Sequence, residues 1–401
     1  MPLTNEIEKI VLNFASDSHQ NLKKKVIDMQ HTFGKVVLKL IAAVTIAVNL
    51  FSCKNDSPAA DKISLTEVPS PLIVNVDQLR MRDKPGEKGE VIATLQKGTQ
   101  LADMGEVSNF TQKIILRGIE YDEPWLKVST TDSIVGWVFA GAITFDMSNP
   151  TELARTLMNK RLLSLFGKEL TEKIDQYRAQ FNLAARSREF ADAYRTGEKL
   201  RDTLIRVLER KLEISDLERA PDLFWLKDAM PAFQPQLVAE GTAYHLFHDF
   251  KTLHTKANAT EGEEDNEFVE LCLLLFPEDS IEYFYPAWFI QTWDYGGHSL
   301  FGRGVHLQIL EEMEEVLEAN DLFEAEILKI KAKLIDDITS QDVTYWESAE
   351  NILKELDAII AANFSILSES DKIALTTRRK MFEAPEENNI QLDQRTGISD
   401  F

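Results

Sequence analysis

Ile73-Val74-Asn75-Val76, Leu79-Arg80-Met81-Arg82, Val91-Ile92-Ala93-Thr94-Leu95, Trp125-Leu126-Lys127-Val128 and Ile134-Val135-Gly136-Trp137-Val138 are the runs that decide the fold. The first two alternate apolar and polar residues, the period of a half-buried strand. Asp83-Lys84-Pro85-Gly86 separates the second run from the third, and Lys97-Gly98-Thr99 closes the third. Pro and Gly at such places write turns. Short strands with turns at this spacing predict a small β-barrel over residues 73–146.

The order of these pieces resembles the bacterial SH3-like (SH3b) family. Its pattern is an opening Leu-x-x-Arg, a Gly/Pro turn, Val-Ile-x-x-Leu-x-x-Gly, then Trp-x-x-Val and Gly-Trp-Val. Here the matching residues are Leu79 to Arg82, Pro85-Gly86, Val91-Ile92 to Leu95 with Gly98, Trp125 to Val128, and Gly136-Trp137-Val138. Ala140-Gly141-Ala142-Ile143 stands where the closing segment falls. Ser108 to Pro124 is longer than the family's usual connection, and its Lys113-Ile114-Ile115-Leu116 reads as an extra strand or a lengthened hairpin. The resemblance covers less than a fifth of the chain. It implies a module that binds cell-wall peptides or partner proteins. Tyr121 and Trp125 are the candidate ligand-binding aromatics, since rings give large contact area at low entropy cost. Trp137 reads as core.

Upstream, Lys35 and Lys39 precede the apolar run Leu40 to Leu50, which is of signal-peptide length and short for a bilayer span. Leu50-Phe51-Ser52-Cys53 then resembles a bacterial lipobox. That resemblance implies a lipid on Cys53 and cleavage before it, with translation starting at Met29. Residues 1–53 are therefore the expected leader and 54–72, rich in Pro, Ser and Asp, a tether. The expected address is the bacterial cell envelope, anchored at the outer membrane, facing either the periplasm or the surface.

The formal charge of −22 argues against nucleic acid as a partner. Of the chain's two cysteines, a lipidated Cys53 leaves Cys272 with no intramolecular partner, so no disulfide scaffold is expected.

After Thr151 the period becomes helical. Trp346, Ala349, Leu353, Leu356 and Ile360 fall on one helix face, as do Phe323, Ile327, Ile330, Leu334 and Ile338. Val305, Ile309, Met313 and Val316 form a third stripe. Breaks near Gly167, Pro221, Pro231 to Pro235 and Pro277 divide an all-α domain, residues 150–382, into about eight to ten helices. Residues 383–401 read as a polar tail.

Two clusters in that region carry chemistry. His245, His248 and Asp249 would share a face if helical, a workable metal-ligand spacing, but the polar edge of an amphipathic helix explains them better and no metal is assigned. Trp293 to Gly304 holds four glycines, with Asp294, His298, Ser299 and Arg303 as candidate ligand-binding residues. Ser299 would cap the next helix, whose free N–H groups with Arg303 favour an anion, and Asp294 would orient His298 as a base. A glycine-rich turn explains the same residues. Cys272 lies in Leu271-Cys272-Leu273-Leu274-Leu275-Phe276, an apolar run that reads as core.

The expected fold is thus multidomain: a small all-β SH3-like barrel followed by an all-α helical domain. The expected function is a lipid-anchored binding or scaffold protein for an envelope peptide or protein partner, peptidoglycan among the candidates. The alternative is an envelope hydrolase with its site at Asp294 to Arg303. No catalytic residue and no cofactor are assigned.

Overall fold

Antiparallel pairing accounts for the whole N-terminal sheet. Its strands are β1 (Leu72–Val74), β2 (Leu79–Arg82), β3 (Val91–Leu95), β4 (Gln100–Leu116), β5 (Ile119–Ser129), β6 (Val135–Phe139) and β7 (Ile143–Thr144), in the order β3-β2-β6-β5-β4-β1-β7. The computed structural model describes residues 71–147, 150–212, 220–238, 243–277, 285–291, 297–319 and 321–393. The leader with Cys53, most of the tether, Asp294 and the last residues of the tail lie outside them.

The sheet curls into a half-barrel. Met81, Leu101, Leu126, Val128, Val138 and Ile143 fill its concave side, each with at most 1% of its surface exposed. Gly136 is required at the β2–β6 crossing. A Cβ there would lie 2.7 Å from both the Arg82 carbonyl oxygen and Ile92 Cδ1. The segment Ser108 to Pro124 is a lengthened hairpin, the arm of β4 and β5. Arg117 (φ +48°) and Gly118 (φ +85°) turn it, and two left-handed residues in a two-residue loop match the strand twist.

Nine helices follow among the described residues: α1 (Glu152–Leu183), α2 (Ser187–Lys211), the single turn α3 (Leu226–Ala229), α4 (Phe250–Ala257), α5 (Glu264–Leu275), α6 (Val305–Ala319), α7 (Glu324–Thr339), α8 (Ala349–Ala362) and α9 (Glu369–Phe382). Thr151 caps α1 by accepting the Ala154 amide, and Gly167 (φ +77°) kinks it. None of these helices is long and apolar enough to cross a membrane.

The region is largely helical, not all-α. A hairpin, β8 (Phe233–Val238) with β9 (Ala243–His248), interrupts the helices, and a small mixed sheet joins β10 (Phe289–Gln291), β11 (Gly297–Ser299), β12 (Thr344–Tyr345) and β13 (Gln391–Leu392). Strands of two to six residues carry too few alternations to register against long helical stripes. β13 also corrects the reading of 383–401 as a tail, because Gln391 and Leu392 pair with Thr344 and Tyr345.

Sheet and helices pack against each other through two apolar clusters. Ile119, Tyr121, Trp125 and Phe139 pack in the same apolar cluster as Met158, Leu165 and Trp225, while Leu157 of α1 enters the half-barrel core. At this joint Arg161 of α1 meets Glu123 of β5 through two hydrogen bonds of 2.8 and 3.0 Å. The same guanidinium donates to the carbonyls of Ala140 and Ile143 at 3.0 and 3.3 Å. Both charged side chains are 3% exposed or less. A buried guanidinium is tolerable only when its donors and its partner's lone pairs are filled this way.

Candidate functional site

The groove beside the hairpin arises from the long β4–β5 arm. Pairing of Lys113 with Glu120 (2.9 Å) and of Lys127 with Glu106 (2.6 Å) braces the arm. Arg117 at its tip reaches Asp77 in the β1–β2 loop at 3.3 Å. Between the arm and β2 lies a cavity of ≈ 410 Å³. Leu79, Arg80 and Arg82 form one side, Ile114 to Arg117 the other, with Trp125 and Phe139 also in its lining.

Trp125 is 3% exposed. Its indole N–H donates to Gln112 Oε1 at 3.0 Å, and its backbone N–H donates to Ser108 Oγ at 3.0 Å. Both acceptors belong to the extended arm, so the insertion itself covers this ring. Trp137, read as core, is only partly buried. Of the two tryptophans, Trp125 is thus the more deeply buried.

Arg82 is one of several charged residues in the lining, with Asp77, Arg80, Glu87 and Arg117. Its Cζ lies 6.0 Å from the centre of the Trp125 ring, and Nη1 donates to the Gly89 carbonyl at 2.6 Å. Its Nε is buried with no hydrogen-bond partner. A buried N–H left unpaired costs on the order of 1–3 kcal/mol.

Tyr121 lines a different cavity, of ≈ 220 Å³, at the joint with α1. The Arg161 guanidinium lies 5.6 Å from its ring centre. Burial holds the phenol above its ordinary pKa, against the opposing pull of Arg161. Tyr121 and Trp125 therefore serve separate places.

The loop from Gly297 to Gly304 shows what became of the predicted anion seat. The backbone N–H groups of Gly302, Gly304 and Leu307 do converge, at the start of α6, but they converge on the Glu355 carboxylate of α8, at 2.6, 2.9 and 3.0 Å. The anion at this helix N-terminus is thus part of the chain. Arg303 pairs with Glu347 at 2.8 Å. His298 lies 3.2 Å from Asp393 and meets Trp346 edge-on at 5.0 Å. Ser299 sits on β11, not at a helix cap. Its hydroxyl donates to Asp337 at 2.5 Å and accepts the Phe301 amide. His306 Nε2 is 2.9 Å from the same Asp337 oxygen, and both Ser299 and His306 are fully buried. The serine proton is held by a carboxylate oxygen that His306 also approaches. Asp294 lies outside the described residues.

Glu355 was detectable in the sequence. The buried face of α8 is Ile352, Glu355, Leu356 and Ile359, a run at i, i+3, i+4 and i+7 with an acid in it. The stripe Ala349, Leu353, Leu356, Ile360 lies beside that face. An acid in an apolar stripe signals a buried partner.

His245 and His248 lie on β9, and Asp249 caps α4 by accepting the Thr252 amide. The helical metal-ligand spacing therefore does not apply. Among the described residues no cluster of three or more His, Cys, Asp or Glu side chains is arranged to hold a metal ion. Burial pushes the Cys272 thiol far up, so it stays protonated in the core. Against family models, curated proteins and solved structures this chain finds no match.

Proposed function

We propose that this protein is a lipid-anchored envelope binding protein, whose SH3b-like sheet takes a carboxylate-bearing peptide into the groove between β2 and the β4–β5 arm. The observation that carries this reading is the half-buried Arg82 guanidinium, in the lining of an open groove beside the Trp125 ring and with its Nε unpaired. A guanidinium favours a planar carboxylate, and an aromatic floor favours an extended peptide. Cell-wall stem peptides, with their free carboxylates, are ligands of this class. The envelope address rests on the Lys35 to Cys53 sequence.

Calorimetric titration of the purified protein with a stem peptide ending in a free carboxylate tests the reading. Saturable binding is expected, weakened about tenfold, or by about 1.4 kcal/mol, in Arg82→Gln at unchanged melting temperature. Equal binding of the amidated peptide, or of the variant, contradicts it. Mass spectrometry of the membrane-bound protein should find no peptide upstream of Cys53; an intact leader there would remove the anchor from the proposal.

A further inference from the structure

A third cavity, of ≈ 600 Å³, opens between α2, β9 and α7. Its size is ordinary for a small-molecule site. Its walls are apolar: Phe250 and Phe276 stack at 5.4 Å, and Ile330 adds an aliphatic side. His248 stacks on Tyr194 with ring centres 5.3 Å apart and 7° between planes.

The rim is cationic in a strongly acidic protein. Arg195, Lys199, Arg201, Lys329 and Lys333 line the cavity with Glu198, Asp202 and Glu326. The acids are already engaged. Glu326 binds Arg195 at 2.7 Å, while Glu198 and Asp202 hold Arg201 at 2.8 and 3.0 Å. Lys199, Lys329 and Lys333 make no ion pair among the described residues. Lys329 and Lys333 stand one turn apart on α7, where like charges repel unless something anionic lies between them.

The floor holds a buried polar pair. His248 Nε2 and Glu198 Oε1 are 2.9 Å apart, and the same Glu198 oxygen lies 2.8 Å from Arg201. Burial, with Arg201 and Lys329 nearby, lowers the His248 pKa against the pull of Glu198, which favours the neutral ring.

The geometry points to a binding site for a small organic anion with an aromatic or aliphatic body, its charge held by Lys199, Lys329 and Lys333 and its body against Phe250, Phe276 and Ile330. The site is independent of the groove in the sheet. Three exposed ammonium groups supply charge without strict geometry, so selectivity comes from the apolar wall and from the His248–Glu198 pair.

The test uses the full chain and two fluorescent probes of similar shape: anilinonaphthalene sulfonate, an anion, and uncharged phenylnaphthylamine. The sulfonate should bind saturably at one site and more tightly than the neutral probe. Lys329→Glu/Lys333→Glu should weaken it about tenfold or more at unchanged melting temperature, while Lys88→Glu, in the β2–β3 turn, leaves it unchanged. Added salt should weaken binding to the wild type, a readout that needs no variant. Competition by decanoate and by phenyl phosphate then separates a carboxylate from a phosphate ligand. Equal affinity for the two probes, insensitivity to salt, or an unaffected double variant overturns the proposal.

Discussion

The groove beside the hairpin and the loop from Gly297 to Gly304 begin with similar ingredients, an arginine beside a turn and a partner able to hold an anion. They end differently. In the loop the groups that could hold an anion are consumed: Glu355 fills the converging amides, Glu347 takes Arg303, and Asp337 takes Ser299, while His298 Nδ1 is left buried without a partner. In the groove the Arg82 Nε is left without a partner beside an aromatic floor. The types of residue present do not separate a site from a structural joint; the distinction is whether the fold has already satisfied them.

The largest effect should come from the joint that fixes the groove to the helices. Arg161→Met leaves Glu123 charged and buried, and should cost about 3–5 kcal/mol by denaturant unfolding. Arg161→Met combined with Glu123→Leu should recover most of that loss. A single variant as stable as the wild type would mean that sheet and helices are not tied through this pair.

The filled seat can be broken next. Glu355→Ala strands three amide donors and should cost about 3 kcal/mol. Phosphate should then raise the variant's melting temperature more than the wild type's, because it can re-enter the vacated place. Identical phosphate responses would show that Glu355 does not act as an internal anion.

A smaller effect concerns Asp228, beside α1. Burial is the main cause that raises its carboxyl to about 6, with Lys227 opposing and Asp146 adding. The folded state therefore holds more protons than the unfolded chain between the ordinary 3.8 and about 6. Its contribution is fully present below the lower value and is lost as pH rises through the upper one. Asp228→Asn should flatten that part of the stability profile. An unchanged slope would place the titration elsewhere.

The sheet was legible because its strands obey a period of two and its turns are written in Pro and Gly. β2 and β3 fall on the predicted runs Leu79 to Arg82 and Val91 to Leu95. The stripes of α6 and α7 were legible for the same reason, with Ile309, Met313, Ile327 and Leu334 buried. The burial of Trp125 was not, since its cover comes from Ser108 and Gln112 across the sheet. Glu123 and Arg161 are far apart in sequence, and nothing local marks their meeting. β8 and β9 were hidden by their aromatic residues, which suit a helix or a strand equally.

The central claim is that the sheet's groove takes the ligand while the glycine loop is a structural joint. Amide and indole resonances of the isotopically labelled protein, followed during titration with a carboxylate-ended stem peptide, test it directly. The account predicts shifts at the Trp125 indole, in β2 and along Ile114 to Arg117, with Gly302, Gly304 and His298 unmoved. Shifts concentrated at Gly302, Gly304 and His298, with the Trp125 indole silent, would contradict it.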